Sequence, residues 1–236
     1  MQINQLNGTF PLIQLSLSAG EHARIQTGSM VYHSSSVKLI SKLNARKNKG
    51  NGLLSAIGRS MFSRESSLVT ELVSEQEDSI CTITPGTPGD IAVLDLSEDQ
   101  YCINDGAFLA MDQDADFELA RVKHPMRSLF SGLGGFVVMR TYGNMGYVLI
   151  NGFGSISVID LNDDSITIDN NHILAWSNGL DYDLHFDNGM FNSWLTGEGL
   201  VNTFSGVGKV YVQSLSFENF AKQLIPYLPK IKENDN

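Results

Sequence analysis

The chain has 236 residues, of which 42% are hydrophobic and 18% charged, and its formal net charge is −10. That length suits one large β domain or two small ones with a substantial core, and the acidic balance disfavours a nucleic-acid backbone as partner. The two cysteines, Cys81 and Cys102, lie outside any CxxC pair, which excludes a local zinc ribbon or thioredoxin-type motif and suits reduced thiols.

No run approaches the ~18 apolar residues of a membrane-spanning helix. The opening MQINQLNGTF has no early basic residue, so no secretory signal is expected and the default location is the cytoplasm. Along the chain, period-2 alternation dominates. PLIQLSLS puts Leu15 and Leu17 on one face of a strand, and GDIAVLDL puts Ile91 and Val93 on one face with Ala92 and Leu94 on the other. GSISVIDLNDDS alternates through Ile156 and Val158 before Asp160, Asp163 and Asp164 crowd together; GKVYVQSL repeats the scheme with Val210 and Val212. Turn signals such as TPGTPGD, NDG, YGNMG, NGFG and DNNH separate these strands.

Helical spacing occurs twice. GLLSAIGRSMF places Leu53, Leu54, Ile57 and Met61 on one stripe, predicting a short basic amphipathic helix. SFENFAKQLIPYL does the same with Phe217, Phe220, Ala221, Leu224, Ile225 and Leu228; Ser216 is its N-cap candidate, and Pro226 should bend or end it.

The chain also repeats itself. Gly89 to Arg121 laid over Gly154 to Phe186, without a gap, gives 11 identities in 33 positions, Gly89/Gly154, Ile91/Ile156, Asp95/Asp160 and Ala110/Ala175 among them. GKVYVQ and RIQTGSMVYH resemble the corresponding strands of the other copies, which predicts a third unit split across the termini. The expectation is one all-β, sandwich- or barrel-like domain over 1–236, built as a pseudo-threefold set of internal repeats. Its units would be 66–130, 132–196, and 197–215 completed by 11–40, with those last two segments side by side; 42–64 is a basic insert.

No local pattern carries catalysis. The histidines His22, His33, His124, His172 and His185 include no HExxH pair, and no GxSxG elbow occurs. SGLGGF and NGFGS precede strand patterns, whereas phosphate loops need a helix N-terminus. The acidic cluster at Asp160–Asp164 has a counterpart in DLSED, so both read as turns rather than a cation site. No catalytic, cofactor or metal residues are therefore assigned, and an enzyme is not the favoured reading. What stands out is charge. Between 42 and 64 there are six basic residues, Lys42, Arg46, Lys47, Lys49, Arg59 and Arg64, and no acidic one, in a chain that is otherwise acidic. A basic segment beside an apolar helical stripe suits an anionic partner or a membrane surface.

Segments TGSMVY (27–32), ESSLVTEL (65–72), PGDIAVLDL (88–96), GAFLA (106–110), GLGGFVVMRTYG (132–143), GFGSISVIDL (152–161) and GEGLVNTFSGVGKVYVQS (197–214) together resemble the bacterial proteins related to the altered-inheritance-of-mitochondria family. Proteins of that family look like duplicated versions of the tryptophan RNA-binding attenuation protein fold. The resemblance implies a compact β domain of internal repeats and association of eukaryotic relatives with mitochondrial inner-membrane organisation; it transfers no site residue. The leading expectation is a non-enzymatic binding or scaffold protein that meets a membrane surface or protein partner through the basic segment. The alternatives are an RNA-binding module by fold analogy and a small-ligand binder or enzyme with its site between repeats. A homo-oligomer is left open.

Overall fold

The structure, a computed structural model, describes residues 1–6, 10–43, 68–104, 106–121, 137–186 and 200–228. Its class is all-β, and every pairing between named strands is antiparallel. The first sheet has the order β1 (Gln2–Leu6), β2 (Leu12–Leu17), β7 (Ser79–Ile83), β4 (Met30–His33). The second runs β5 (Val37–Leu43), β6 (Leu68–Ser74), β3 (His22–Gln26), β10 (Phe108–Asp112), β13 (Tyr147–Asn151), β8 (Ile91–Asp95). The third runs β11 (Asp116–Arg121), β12 (Val137–Tyr142), β9 (Tyr101–Asn104), β15 (Ile173–Ser177), β17 (Leu200–Gln213), β14 (Ile156–Asp169), with β16 (Asp181–Phe186) also on β17.

Alternation explains the strands with one buried face. In β2, Ile13, Leu15 and Leu17 are buried while the residues between them are half-exposed, so one face meets the core. β10 (FLAMD) and β15 (ILAWS) differ, because every residue in each is buried. A continuous apolar run is what a strand needs when both of its faces are covered. Accordingly Phe108 and Met111 join one core cluster with Tyr101, Ile103, Val148 and Leu174, while Leu109 and Ala110 join another with Leu15, Ile25, Leu72 and Ile83. A third cluster, including Cys102, Trp176, Phe204 and Val210, packs under the long β14–β17 ribbon. Trp176, Phe204 and Tyr182 form its aromatic centre, with ring centroids 5.4–6.3 Å apart.

The β14–β17 ribbon is where sequence and structure part. Asp160–Asp164 is not a turn between two strands. β14 continues from Ile156 to Asp169, and the register slips between Asn162 and Asp164. Asp163 adopts φ 61° at that bulge, and Gly206 (φ 114°) lies opposite on β17. A bulge and a tight turn draw on the same residues, since Asp and Gly both tolerate the left-handed region. The DLSED copy is a true turn, in which Asp95 accepts the Ser97 backbone N–H at 2.9 Å.

The expected unit of 197–215 beside 11–40 is not joined by strand pairing: β17 pairs with β14, β15 and β16, and with no strand from 11–40 among the described residues. The GKVYV strand finds its partner in ISVID of its own ribbon, Val158 opposite Tyr211. The helix predicted over 53–61 lies outside the described residues. The C-terminal one is present as α1 (Phe217–Leu224), with the Ser216 Oγ accepting the Asn219 N–H at 3.3 Å. It gives way to a single 3-10 turn at Ile225–Tyr227 that contains Pro226, where the missing N–H forbids further α-helix.

Candidate functional site

The basic residues singled out by sequence fall mostly beyond the description. Lys42 lies on β5 with its backbone opposite Val69; Arg46, Lys47, Lys49, Arg59 and Arg64 lie outside the described residues. Asp160, Asp163 and Asp164 are all exposed along β14, Asp160 facing Lys209 across the ladder. Among the described residues no group of three or more His, Cys, Asp or Glu side chains could hold a metal ion.

Asp112 is a carboxylate that the fold buries to hold backbone. The Asp112 carboxylate accepts N–H groups from Ala115 at 3.0 Å and Tyr147 at 3.1 Å. Burial pushes its carboxyl above the ordinary value, opposed by those bonds. Asp116 goes the other way. Burial alone would raise it, but the Tyr142 hydroxyl, the Phe117 N–H and the Arg24 guanidinium hold it below the usual carboxylate range. Glu71 lies 3.3 Å from the His22 ring, and His172 Nδ1 is 2.7 Å from the Gln213 carbonyl, so these two histidines are already engaged.

One cluster was invisible in the sequence because its members are far apart along the chain. Cys102 on β9 stands opposite Arg140 on β12, and its Sγ–H donates to Asn178 Oδ1 at 3.4 Å. Burial pushes the thiol up, while Arg140 pulls it back. Tyr182, edge-on to Trp176, is also raised by burial and by Cys102. A thiol kept protonated by burial is a poor nucleophile, and Cys102 packs into the third core cluster with Trp176 and Phe204.

Surface hollows occur among the described residues. One, of about 510 Å³, is lined by Ser18, Glu21, Asp78 and Gln113 and by the Met1 ammonium, which pairs with Glu21. Another, of about 240 Å³, lies between Phe10 and the Pro85–Gly89 turn.

Apolar surface is the more informative feature. α1 leaves Phe217, Phe220 and Leu224 exposed, and Ile225, Tyr227 and Leu228 continue the stripe. Phe153 is the fold's hold on it, with ring centroids 5.9 Å from Phe217 and 5.2 Å from Phe220. Periodicity revealed the stripe in the sequence; that it faces outward was not legible there. No helix among the described residues is long and apolar enough to cross a membrane.

Comparison with known proteins matches this architecture. The family model described as mitochondrial biogenesis AIM24 matches residues 3–215. An uncharacterised protein of Streptococcus pyogenes serotype M6 is 47% identical over 220 residues, covering 93% of this chain and 88% of that protein. A structural-genomics crystal structure of a Streptococcus pyogenes protein superposes with a TM-score of 0.78 at 45% identity, covering 96% of this chain and 99% of that one.

Proposed function

The chain belongs to the mitochondrial biogenesis AIM24 family, and from that membership we propose that it is a non-enzymatic binding or scaffold protein that meets an anionic lipid surface. The observation that carries this reading is the exposed apolar stripe of α1, Phe217, Phe220 and Leu224, held on the fold by Phe153. A stripe of that kind inserts at the headgroup boundary, and its worth scales with the apolar area it removes from water. An acidic chain would be repelled by anionic lipid unless it carried a basic patch. The stretch from Lys42 to Arg64, six basic residues without an acidic one, supplies that charge. Glu218 and Lys222 pair at 2.7 Å on the polar side of α1, so the helix itself adds no net charge there.

Vesicle sedimentation tests it. Wild type should pellet with vesicles rich in anionic phospholipid and stay in solution with neutral ones, with binding that falls as salt rises. Reversing the charge at Arg46, Lys47 and Lys49, or replacing Phe220 and Leu224 by Glu, should each weaken pelleting at least tenfold. Equal pelleting of all three proteins would overturn the reading.

A further inference from the structure

Three pairs of strands share one irregularity. On β10–β13, Phe108 faces Ile150, Ala110 faces Leu149 and Met111 faces Val148, with the register slipping between Phe108 and Ala110. On β15–β17, Ile173, Ala175 and Trp176 face Val212, Tyr211 and Val210, slipping between Ile173 and Ala175. On β4–β7, Met30, Tyr32 and His33 face Ile83, Thr82 and Cys81, slipping between Met30 and Tyr32. Just beyond, the same bond recurs. The Asp112 carboxylate accepts the Tyr147 N–H at 3.1 Å, Ser177 Oγ accepts the Lys209 N–H at 2.8 Å, and Ser34 Oγ accepts the Ile80 N–H at 3.0 Å. Bulges disrupt a ladder locally and are retained as features of a design rather than as accidents. Three at the same step, each followed by the same side-chain bond, mark equivalent positions in equivalent units.

Equivalence extends to how units join. β10 pairs with β3, Ala110 opposite Ile25 and Met111 opposite Arg24. β15 pairs with β9, Ala175 opposite Ile103 and Trp176 opposite Cys102. In both junctions a bulged strand lies on the strand that precedes the bulged strand of the unit before it. Applied to β4, the rule demands the strand that precedes β15, namely the Ile166–Asp169 end of β14, with Tyr32 opposite Ile168 and His33 opposite Thr167. Among the described residues that pairing is not made. β4 pairs only with β7, and Ile166–Asp169 pairs only with β17. The exposure differs accordingly: Met30, Val31 and Tyr32 are 37%, 47% and 44% exposed, whereas Leu109, Ala110, Leu174 and Ala175 are at most 4%.

We propose that the chain is a row of three equivalent β units, 12–83, 91–151 and 156–213, whose two ends, β4 and Ile166–Asp169, form a third junction between two copies of the chain, head to tail. The third unit is then continuous from 156, rather than split between the termini. A free, apolar strand edge invites another strand, and each copy carries the edge that its neighbour lacks. Such a contact is heterologous, so it propagates as a ring or a row.

Cysteine pairing tests it directly. Opposed residues of antiparallel strands bring Cβ atoms within disulfide reach. Mixing Tyr32→Cys with Ile168→Cys protein and oxidising should give a two-chain band on a non-reducing gel that neither variant gives alone. The native thiols Cys81 and Cys102 are buried and give no background. Light scattering should show a wild-type mass that rises above one chain with concentration, and a Val31→Lys variant that stays at one chain while melting like wild type. Absence of the mixed disulfide, a wild type that stays at one chain throughout, or a Tyr32→Cys/Ile168→Cys double variant that closes only within its own chain would each overturn the proposal.

Discussion

Tyr147 donates its backbone N–H to the Asp112 carboxylate at 3.1 Å, and the carboxylate also accepts from Ala115 at 3.0 Å. Asp112 is 4% exposed, so the donors it satisfies are shielded from bulk water. Asp112→Ala leaves buried N–H groups unpaired and should cost ~1–3 kcal/mol by urea unfolding. Asp112→Ser should recover part of that loss, because Ser177 holds the Lys209 N–H and Ser34 the Ile80 N–H with a hydroxyl.

Asp112 and Asp116 should give stability opposite dependences on pH. The Asp112 carboxyl lies above its ordinary value of 3.8 through burial. Its contribution is therefore fully present below 3.8 and lost as pH rises through the raised value. Asp116 lies below 3.8, since Tyr142, Phe117 and Arg24 outweigh its burial. Its contribution is present above 3.8 and lost as pH falls through the lowered value. Relative to wild type, Asp112→Asn should gain stability as pH is raised through the acid range, and Asp116→Asn should lose it. Urea midpoints at a series of acid pH values check both slopes.

Glycine positions separate by what surrounds them. A Cβ on Gly89 would lie 2.0 Å from the Gly152 carbonyl oxygen and 2.6 Å from that of Gly154, both backbone atoms that no rotamer change can move. The contact is the parallel bridge between Gly89 and Gly154, flanked by the Asp90 N–H donating to the Gly154 carbonyl at 2.8 Å. Gly89→Ala should sit at or beyond the upper end of the ~1–3 kcal/mol typical of overpacking. Gly86 meets nothing within 4 Å, so Gly86→Ala should stay within about 0.5 kcal/mol in the same thermal or urea assay.

The thiols should be silent in the folded protein. Burial pushes Cys81 up to about 11, and Cys102 is raised by burial against the pull of Arg140. Only the thiolate reacts quickly. A chromogenic disulfide reagent near pH 8 should label neither residue on the timescale that labels a free thiol, and should label both once denaturant is added. Rapid labelling of one thiol in the native protein would place a thiolate where the structure has none.

Why some of this was legible and some not follows from particular strands. Leu15 and Leu17 were readable as core because polar neighbours flank them, and both are buried. In IAVLD both faces are apolar, so alternation separated Val93 from Leu94 without saying which goes inside. Leu94 is fully buried, and Val93 is 48% exposed. The stripe of α1 was equally plain, yet periodicity reports a face and not its partner, and the face points outward. The Cys102–Arg140–Tyr182 cluster depends on the pairing of β9 with β12 and on packing across the third sheet, and no local window contains it. The basic residues were legible as charge alone, which is a property of composition and needs no fold.

Asp163 supplies the last test, at the place where a turn was expected and a bulge occurs. Its φ of 61° lies in the left-handed region, in the middle of a ribbon that continues on both sides. That conformation costs an ordinary L-residue about 1–2 kcal/mol, Asp somewhat less, and glycine nothing. Asp163→Gly should therefore leave stability unchanged or raise it by up to ~1 kcal/mol, since strain relief is partly offset by chain entropy. Asp163→Val should lose ~1–2 kcal/mol, because its branched Cβ crowds the same conformation. Among the described residues Asp163 belongs to no group of three or more carboxylate, His or Cys side chains that could hold a metal ion, so calcium should shift neither the wild-type melting temperature nor that of Asp163→Gly. A calcium-dependent rise in wild type that Asp163→Gly abolishes would instead make this bulge a cation site.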